Sequence, residues 1–142
     1  MRHITQAGLE LIRAFEGYRP TPYKDIAGKL TQGIGHLLLP GEDFGYLDPT
    51  EAMALLAKDV QVAERAVLRL IKVPLTDRQF DALVSFTFNL GGGALQRSTL
   101  RKKVNREEHE DVPAEFLKWC RAGGKISRGL LRRRKAEAAL YQ

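Results

Sequence analysis

Residues 16–36, EGYRPTPYKDIAGKLTQGIGH, constrain the fold more than any other stretch. Its two prolines and the glycines at 28, 33 and 35 stop it from continuing a helix, so it must turn and pair as strands. Upstream, Leu9, Ile12 and Phe15 recur at helical spacing, which predicts a helix capped by Thr5 and ending near Gly17. Pro20 and Pro22 then turn the chain. Tyr23 to Ile26 reads as a short strand, Ala27-Gly28 as a tight hairpin connection and Leu30 to Ile34 as the paired strand. Glu16 therefore stands at the edge of an element, and the hairpin holds Asp25 and Thr31 close together.

Beyond His36 the pattern becomes helical. Leu37-Leu38-Leu39 meets the turn signal Pro40-Gly41, and an acidic loop, Glu42 to Gly45, follows. Asp48-Pro49-Thr50-Glu51 reads as a capped helix start, and Leu55, Leu56, Val62, Ala63, Ala66, Val67 and Leu70 keep one apolar face to about residue 70. Pro74 ends that helix. Thr76 and Gln79 form a second capping box before Phe80 to Leu90, which is apolar nearly all round and reads as a central helix. Further helices are predicted at about 95–104, 112–121 and 129–140. The expected fold is α+β and mostly helical, a single domain over 1–142. A β-rich lobe (about 16–50) is joined by a long helix (about 51–70) to a helical lobe (about 74–142, with 1–15).

With 44% hydrophobic residues the chain can build its core without a metal or a disulfide framework, and its one cysteine, Cys120, reads as a small hydrophobe beside a core Trp119. The net charge of +6 points to an anionic partner: nucleic acid, acidic lipid or a cell-wall polymer. No apolar run approaches the roughly 20 residues of a membrane span, so stable membrane insertion is not expected. The first residues lack the apolar core of a signal peptide, which predicts a cytoplasmic start. Arg132-Arg133-Arg134-Lys135 superficially suits nucleic acid. On a helix, however, these residues point all round the axis, and Arg133 can pair with Glu137 four residues on, so a surface salt-bridge face is expected. No helix with base-reading side chains is evident.

Two carboxylates and a hydroxyl in one turn-and-strand segment suit hydrolysis of a glycosidic bond. That reaction needs an acid for the leaving oxygen and a carboxylate on the opposite side. Glu16, beside Phe15, is the candidate acid, with partial burial favouring its protonated form. Asp25 is the candidate base, with Thr31 bonding the attacking water. Gly33 and Gly35 relieve crowding in a strand or let a sugar approach the backbone.

The spacing Glu16, Asp25, Thr31, followed by Gly33-x-Gly35-His36, resembles the signature of the bacteriophage lysozymes, or endolysins, of glycoside hydrolase family 24. The likeness continues through Leu75 to Phe86, Phe88 to Gly91, Ser98 to Leu100, Phe116 to Trp119 with Ala122 to Lys125, and Gly129 to Glu137. It implies a lysozyme-like cleft between two lobes, with Glu16, Asp25 and Thr31 catalytic and Gly33, Leu37, Phe88, Asn89 and Thr99 along the substrate path. For Phe88, core packing is an equal alternative. The matching His is structural in the family, and His36 has no carboxylate placed beside it by sequence. The resemblance further implies a monomeric muramidase that needs no cofactor or metal, cleaves peptidoglycan by inversion, and reaches the wall from the host cytoplasm with the help of a holin. A nucleic-acid-binding protein and an inactive wall-binding module are the rival readings. One departure stands out: Gln32 occupies a position that is usually apolar, which questions how well the hairpin is buried.

Overall fold

The computed structural model describes residues 1–142. Helix α1 spans Gln6–Glu16. The Thr5 side chain accepts from the Gly8 amide at its start, and Gly17, at φ 77°, closes it by donating to the Arg13 carbonyl. A positive φ there is cheap only for glycine. The helix thus stops on Glu16, as its sequence predicts.

Strands β1 (Arg19–Lys24), β2 (Leu30–Gly33) and β3 (His36–Leu37) form an antiparallel sheet in that order, with Tyr23 opposite Thr31 and Gln32 opposite His36. Here the sequence reading needs correction. Pro20 and Pro22 do not form a turn but lie within β1, an edge strand whose pairing shifts between Arg19 and Tyr23. At an edge a missing N–H need not cost a ladder bond. The first strand therefore ends at Lys24, and Ile26 lies on the turn, fully exposed. Gln32 is fully buried, yet its Nε2 donates to the Pro20 and Gly45 carbonyls at 2.9 and 2.7 Å. The departure from an apolar residue thus ties β1 and the following loop to β2 instead of loosening the hairpin.

The connecting helical stretch begins with the expected Asp48–Glu51 capping box. It runs as α2 (Pro49–Asp59) and α3 (Gln61–Leu70), which meet at the buried Val60, where ψ opens to −11°. No glycine or proline marks this break. Helix α4 (Asp77–Leu90) starts at the Thr76–Gln79 capping box and is buried from Phe80 to Thr87, as a central helix should be. The predicted helix 95–104 is divided into α5 (Gly92–Arg97) and α6 (Thr99–Asn105), because Ser98 accepts from the Arg101 amide and starts a new helix. A 3₁₀ turn, His109–Asp111, leads into α7 (Val112–Leu117). That helix ends before 121, and an unpredicted hairpin follows, β4 (Arg121–Ala122) and β5 (Lys125–Ile126), turning on Gly123 and Gly124. Helix α8 (Arg128–Tyr141) is capped by Ser127. The apolar core lies among all eight helices, and from residues 17–48 only Ile34 joins it.

Candidate active site

A cavity of about 610 Å³ opens between the sheet and the helical lobe. Glu16, Asp25 and Thr31 line it together with Leu37, Phe88 and Asn89, so six of the eight predicted site residues meet there. The other two do not. Gly33 is buried beneath α2, where a Cβ would meet Leu47 at 3.4 Å and Ala52 at 3.8 Å. Thr99 is exposed at the start of α6, away from the lining. Of the two glycines expected to relieve crowding, Gly35 borders the cavity: it has φ 70°, and a Cβ there would lie 2.8 Å from Glu16 Oε1. Phe88 is half-buried and does both things predicted as alternatives, packing against the core and facing the cavity.

Glu16 is held from the far end of the chain. Its Oε2 accepts from Arg133 Nη1 at 2.7 Å, which leaves Oε1 facing Gly35. Arg133 is itself fixed by Glu137 Oε2 at 3.4 Å and by the Ser85 carbonyl at 3.4 Å. Arg134 Nη2 donates to Glu137 Oε2 at 3.1 Å and to Asn89 Oδ1 at 2.8 Å, while Ser85 Oγ donates to Glu137 at 2.5 Å. Arg134 Nε lies 2.7 Å from Glu137 Oε1 as an ion pair, though its N–H is not aligned on that oxygen. The surface salt-bridge face predicted for this helix is therefore wrong. Arg133 and Glu137 do pair, but Arg133, Arg134 and Glu137 are 4%, 0% and 0% exposed. Burial pushes the Glu137 carboxyl up and the Arg134 guanidinium down, because each loses hydration of its charged form.

Asp25 is positioned by the hairpin turn alone. Its Oδ1 accepts from the Lys29 amide at 2.8 Å, its N–H donates to the Lys29 carbonyl at 2.9 Å, and its own carbonyl receives the Gly28 amide. Oδ2 is left for the cavity. Thr31, buried on β2, donates its hydroxyl to the Lys29 carbonyl at 3.2 Å, so its oxygen keeps acceptor capacity toward the cavity.

His36 has the carboxylates that sequence could not place beside it. Nδ1 lies 2.7 Å from Asp59 Oδ2, at the end of α2, and Nε2 lies 3.0 Å from Glu42 Oε1 in the loop. Burial works against the imidazolium, but the hydrogen bonds with Glu42 and Asp59 outweigh it and raise the pKa of His36. The Leu39 amide, and then His36, hold the Glu42 carboxyl below its ordinary value. Both ring nitrogens are occupied, so His36 is a clamp between sheet, loop and α2, in keeping with a structural role. Trp119 meets Phe86 edge to face at 5.6 Å in the core, and Cys120 is buried and free, as expected of both. Sequence reasoning missed Tyr23, Leu39 and Asp59 on the cavity lining, and Arg133 behind Glu16. For Arg133 a signal existed: Leu140, seven residues on, shares its helix face and packs against the core.

Comparison with known proteins agrees with this geometry. The family model described as "Phage lysozyme" matches residues 13–137. The endolysin of Bacillus phage B103 is 41% identical over 141 residues, covering 98% of this chain, which spans 54% of that protein's length. The endolysin of Acyrthosiphon pisum secondary endosymbiont phage 1 is 40% identical, and there the match covers 99% of this chain and 98% of the relative. A crystal structure of a P22 lysozyme mutant superposes with a TM-score of 0.90 at 32% identity, over 99% of both chains. With the matched model spanning nearly the whole chain and Glu16, Asp25 and Thr31 gathered on one cavity, the chain belongs to the phage lysozyme family.

Proposed function

We propose that this chain is a muramidase that hydrolyses the β-1,4 bond between N-acetylmuramic acid and N-acetylglucosamine in bacterial peptidoglycan, with inversion, for lysis of a phage host. The observation that carries the reading is the convergence of Glu16, Asp25 and Thr31 on one cavity, the acid from the end of a helix and the other two from a hairpin. The relatives named endolysin support the substrate. In this reading Glu16 donates its proton from Oε1, the oxygen not engaged by Arg133, to the departing glycosidic oxygen. Water gives one hydrogen to Asp25 Oδ2 and the other to Thr31 Oγ1, leaving a lone pair aimed at the anomeric carbon. The hydroxyl of Thr31 accepts in this way because its own hydrogen is committed to Lys29. As the C–O bond breaks, that water delivers its proton to Asp25 and the sugar leaves with inverted configuration.

No helix of the chain is long and apolar enough to cross a membrane. Passage to the wall after a holin permeabilises the membrane, from the host cytoplasm and as a monomer, belongs to the same proposal. The nucleic-acid reading is less well supported, because the run of cations it rests on buries Arg133 and Arg134. The test is proton NMR of the first products from soluble peptidoglycan strands. An inverting enzyme, with carboxyls roughly 6.5–9.5 Å apart, releases the α-anomer first. Initial release of the β-anomer, or a covalent sugar trapped on Asp25, overturns the mechanism, and absence of cleavage overturns the activity.

A further inference from the structure

The groove does not end at the catalytic cavity. Beyond Phe88 a second hollow of about 350 Å³ lies between α3, α4 and the start of α5, lined by Val62, Ala63, Ala66, Arg69, Thr87 and Gly92. Asp59 and Phe88 line both cavities, so the two share a wall. Thr87 is 2% exposed and its hydroxyl has no hydrogen-bond partner. Buried hydroxyls are ordinarily paired, because an unpaired one has given up its hydration for nothing. Arg69 is exposed and takes part in none of the ion pairs of the molecule. Asp59, the one anion on the lining, already has its carboxylate on His36. The hollow thus offers an apolar floor, one unused hydroxyl and one unused guanidinium.

We infer that this hollow binds a carboxylate carried by the glycan strand, either the lactyl acid of a muramoyl residue or the acidic peptide attached to it. Arg69 pairs with the carboxylate, Thr87 donates to it, and Val62, Ala63 and Ala66 cover its aliphatic part. The inference rests on the muramidase reading and makes it specific. Arginine suits the task because its planar fork matches a carboxylate.

Calorimetric binding to the full chain tests this, in a Glu16→Gln background so that the ligands survive. Three ligands are compared: an N-acetylglucosamine hexamer, peptide-free peptidoglycan strands, and strands with their peptides. Arg69→Gln should weaken binding of the carboxylate-bearing strands by about tenfold, the worth of one charge-assisted hydrogen bond, and leave the hexamer unchanged. Thr87→Val should weaken the same ligands by about threefold without lowering Tm, since it removes a hydroxyl that bonds nothing in the free protein. In peptide-bearing strands the lactyl acid is consumed as the amide that carries the peptide, so a response confined to peptide-free strands identifies the lactyl acid, one confined to peptide-bearing strands identifies the peptide, and one shared by both shows that either carboxylate is taken. Equal loss on the hexamer, or no loss on any ligand, overturns the inference. Failure of the unmutated chain to cleave either strand would count against the muramidase reading alone, because the binding contrast is measured without catalysis.

Discussion

Glu16 and Asp25 face one cavity from regions held together by different forces. Behind Glu16 stand Arg133, Glu137, Arg134 and Ser85, a buried polar cluster set against the helical core. Behind Asp25 stand a turn and a small sheet, held by backbone bonds to Lys29, the two bonds of Gln32, and the His36 clamp. Of this region only Ile34 enters the main core. The proposed acid is therefore oriented by buried charges, and the proposed base by local hydrogen bonds that a single turn can make. The contrast suits the chemistry proposed. The acid has to meet one oxygen at one angle, whereas the base acts through a water that adjusts to it.

Substitutions can break this contrast or sharpen it. The largest effect is expected at the chemistry itself. Glu16→Gln keeps the shape and the acceptor for Arg133 but cannot donate a proton, so turbidity loss on bacterial walls should slow by about 10²–10⁴-fold. Circular dichroism should stay native, and full lytic activity in the folded variant would remove Glu16 from its role. Next comes the charge cluster. Glu137→Ala leaves two buried guanidiniums without their shared carboxylate and should cost about 3–5 kcal/mol in denaturant unfolding. A cost below about 1 kcal/mol would mean that the cluster does not anchor the acid side.

Two isoleucines of the β-rich lobe then separate packing from exposure. Ile34→Ala, at 2% exposure in the core, should cost about 2–5 kcal/mol, while Ile26→Ala, fully exposed on the turn, should change stability by less than about 0.5 kcal/mol. Similar costs at the two sites would mean that the core contact of Ile34 does not anchor the β-rich lobe. The smallest effect concerns the clamp. His36 has a raised pKa, so its contribution is complete below the ordinary imidazole value of about 6.5 and is lost as pH rises through the folded value. Glu42 has a lowered pKa, so its contribution is present above the ordinary carboxylate value of about 4.3 and is lost as pH falls through its folded value. The Tm advantage over a His36→Gln variant, of roughly a few degrees, should therefore peak between these values and shrink toward alkaline pH. An advantage that grew above pH 7 would contradict the clamp.

Sequence alone determined the elements that local chemistry dictates. Thr5, the Asp48–Glu51 and Thr76–Gln79 boxes, and the unbroken apolar run of α4 announced three helices correctly. Proline, glycine and the spacing from Glu16 to Thr31 marked the strand-forming lobe and its reactive groups. Each of these signals acts within a few residues, through a cap, a φ angle or a side-chain period. Only the tertiary structure decided the rest. It folded the prolines into an edge strand, set Gly33 under α2 and Gly35 against Glu16, left Thr99 outside the cavity, and divided helices at Val60 and Ser98. Above all it brought Arg133 to Glu16 across 117 positions of sequence, and Asp59 and Glu42 to His36. A cationic run reads the same whether it meets water or a carboxylate. Desolvation decides between them, and desolvation depends on which distant elements pack over the helix.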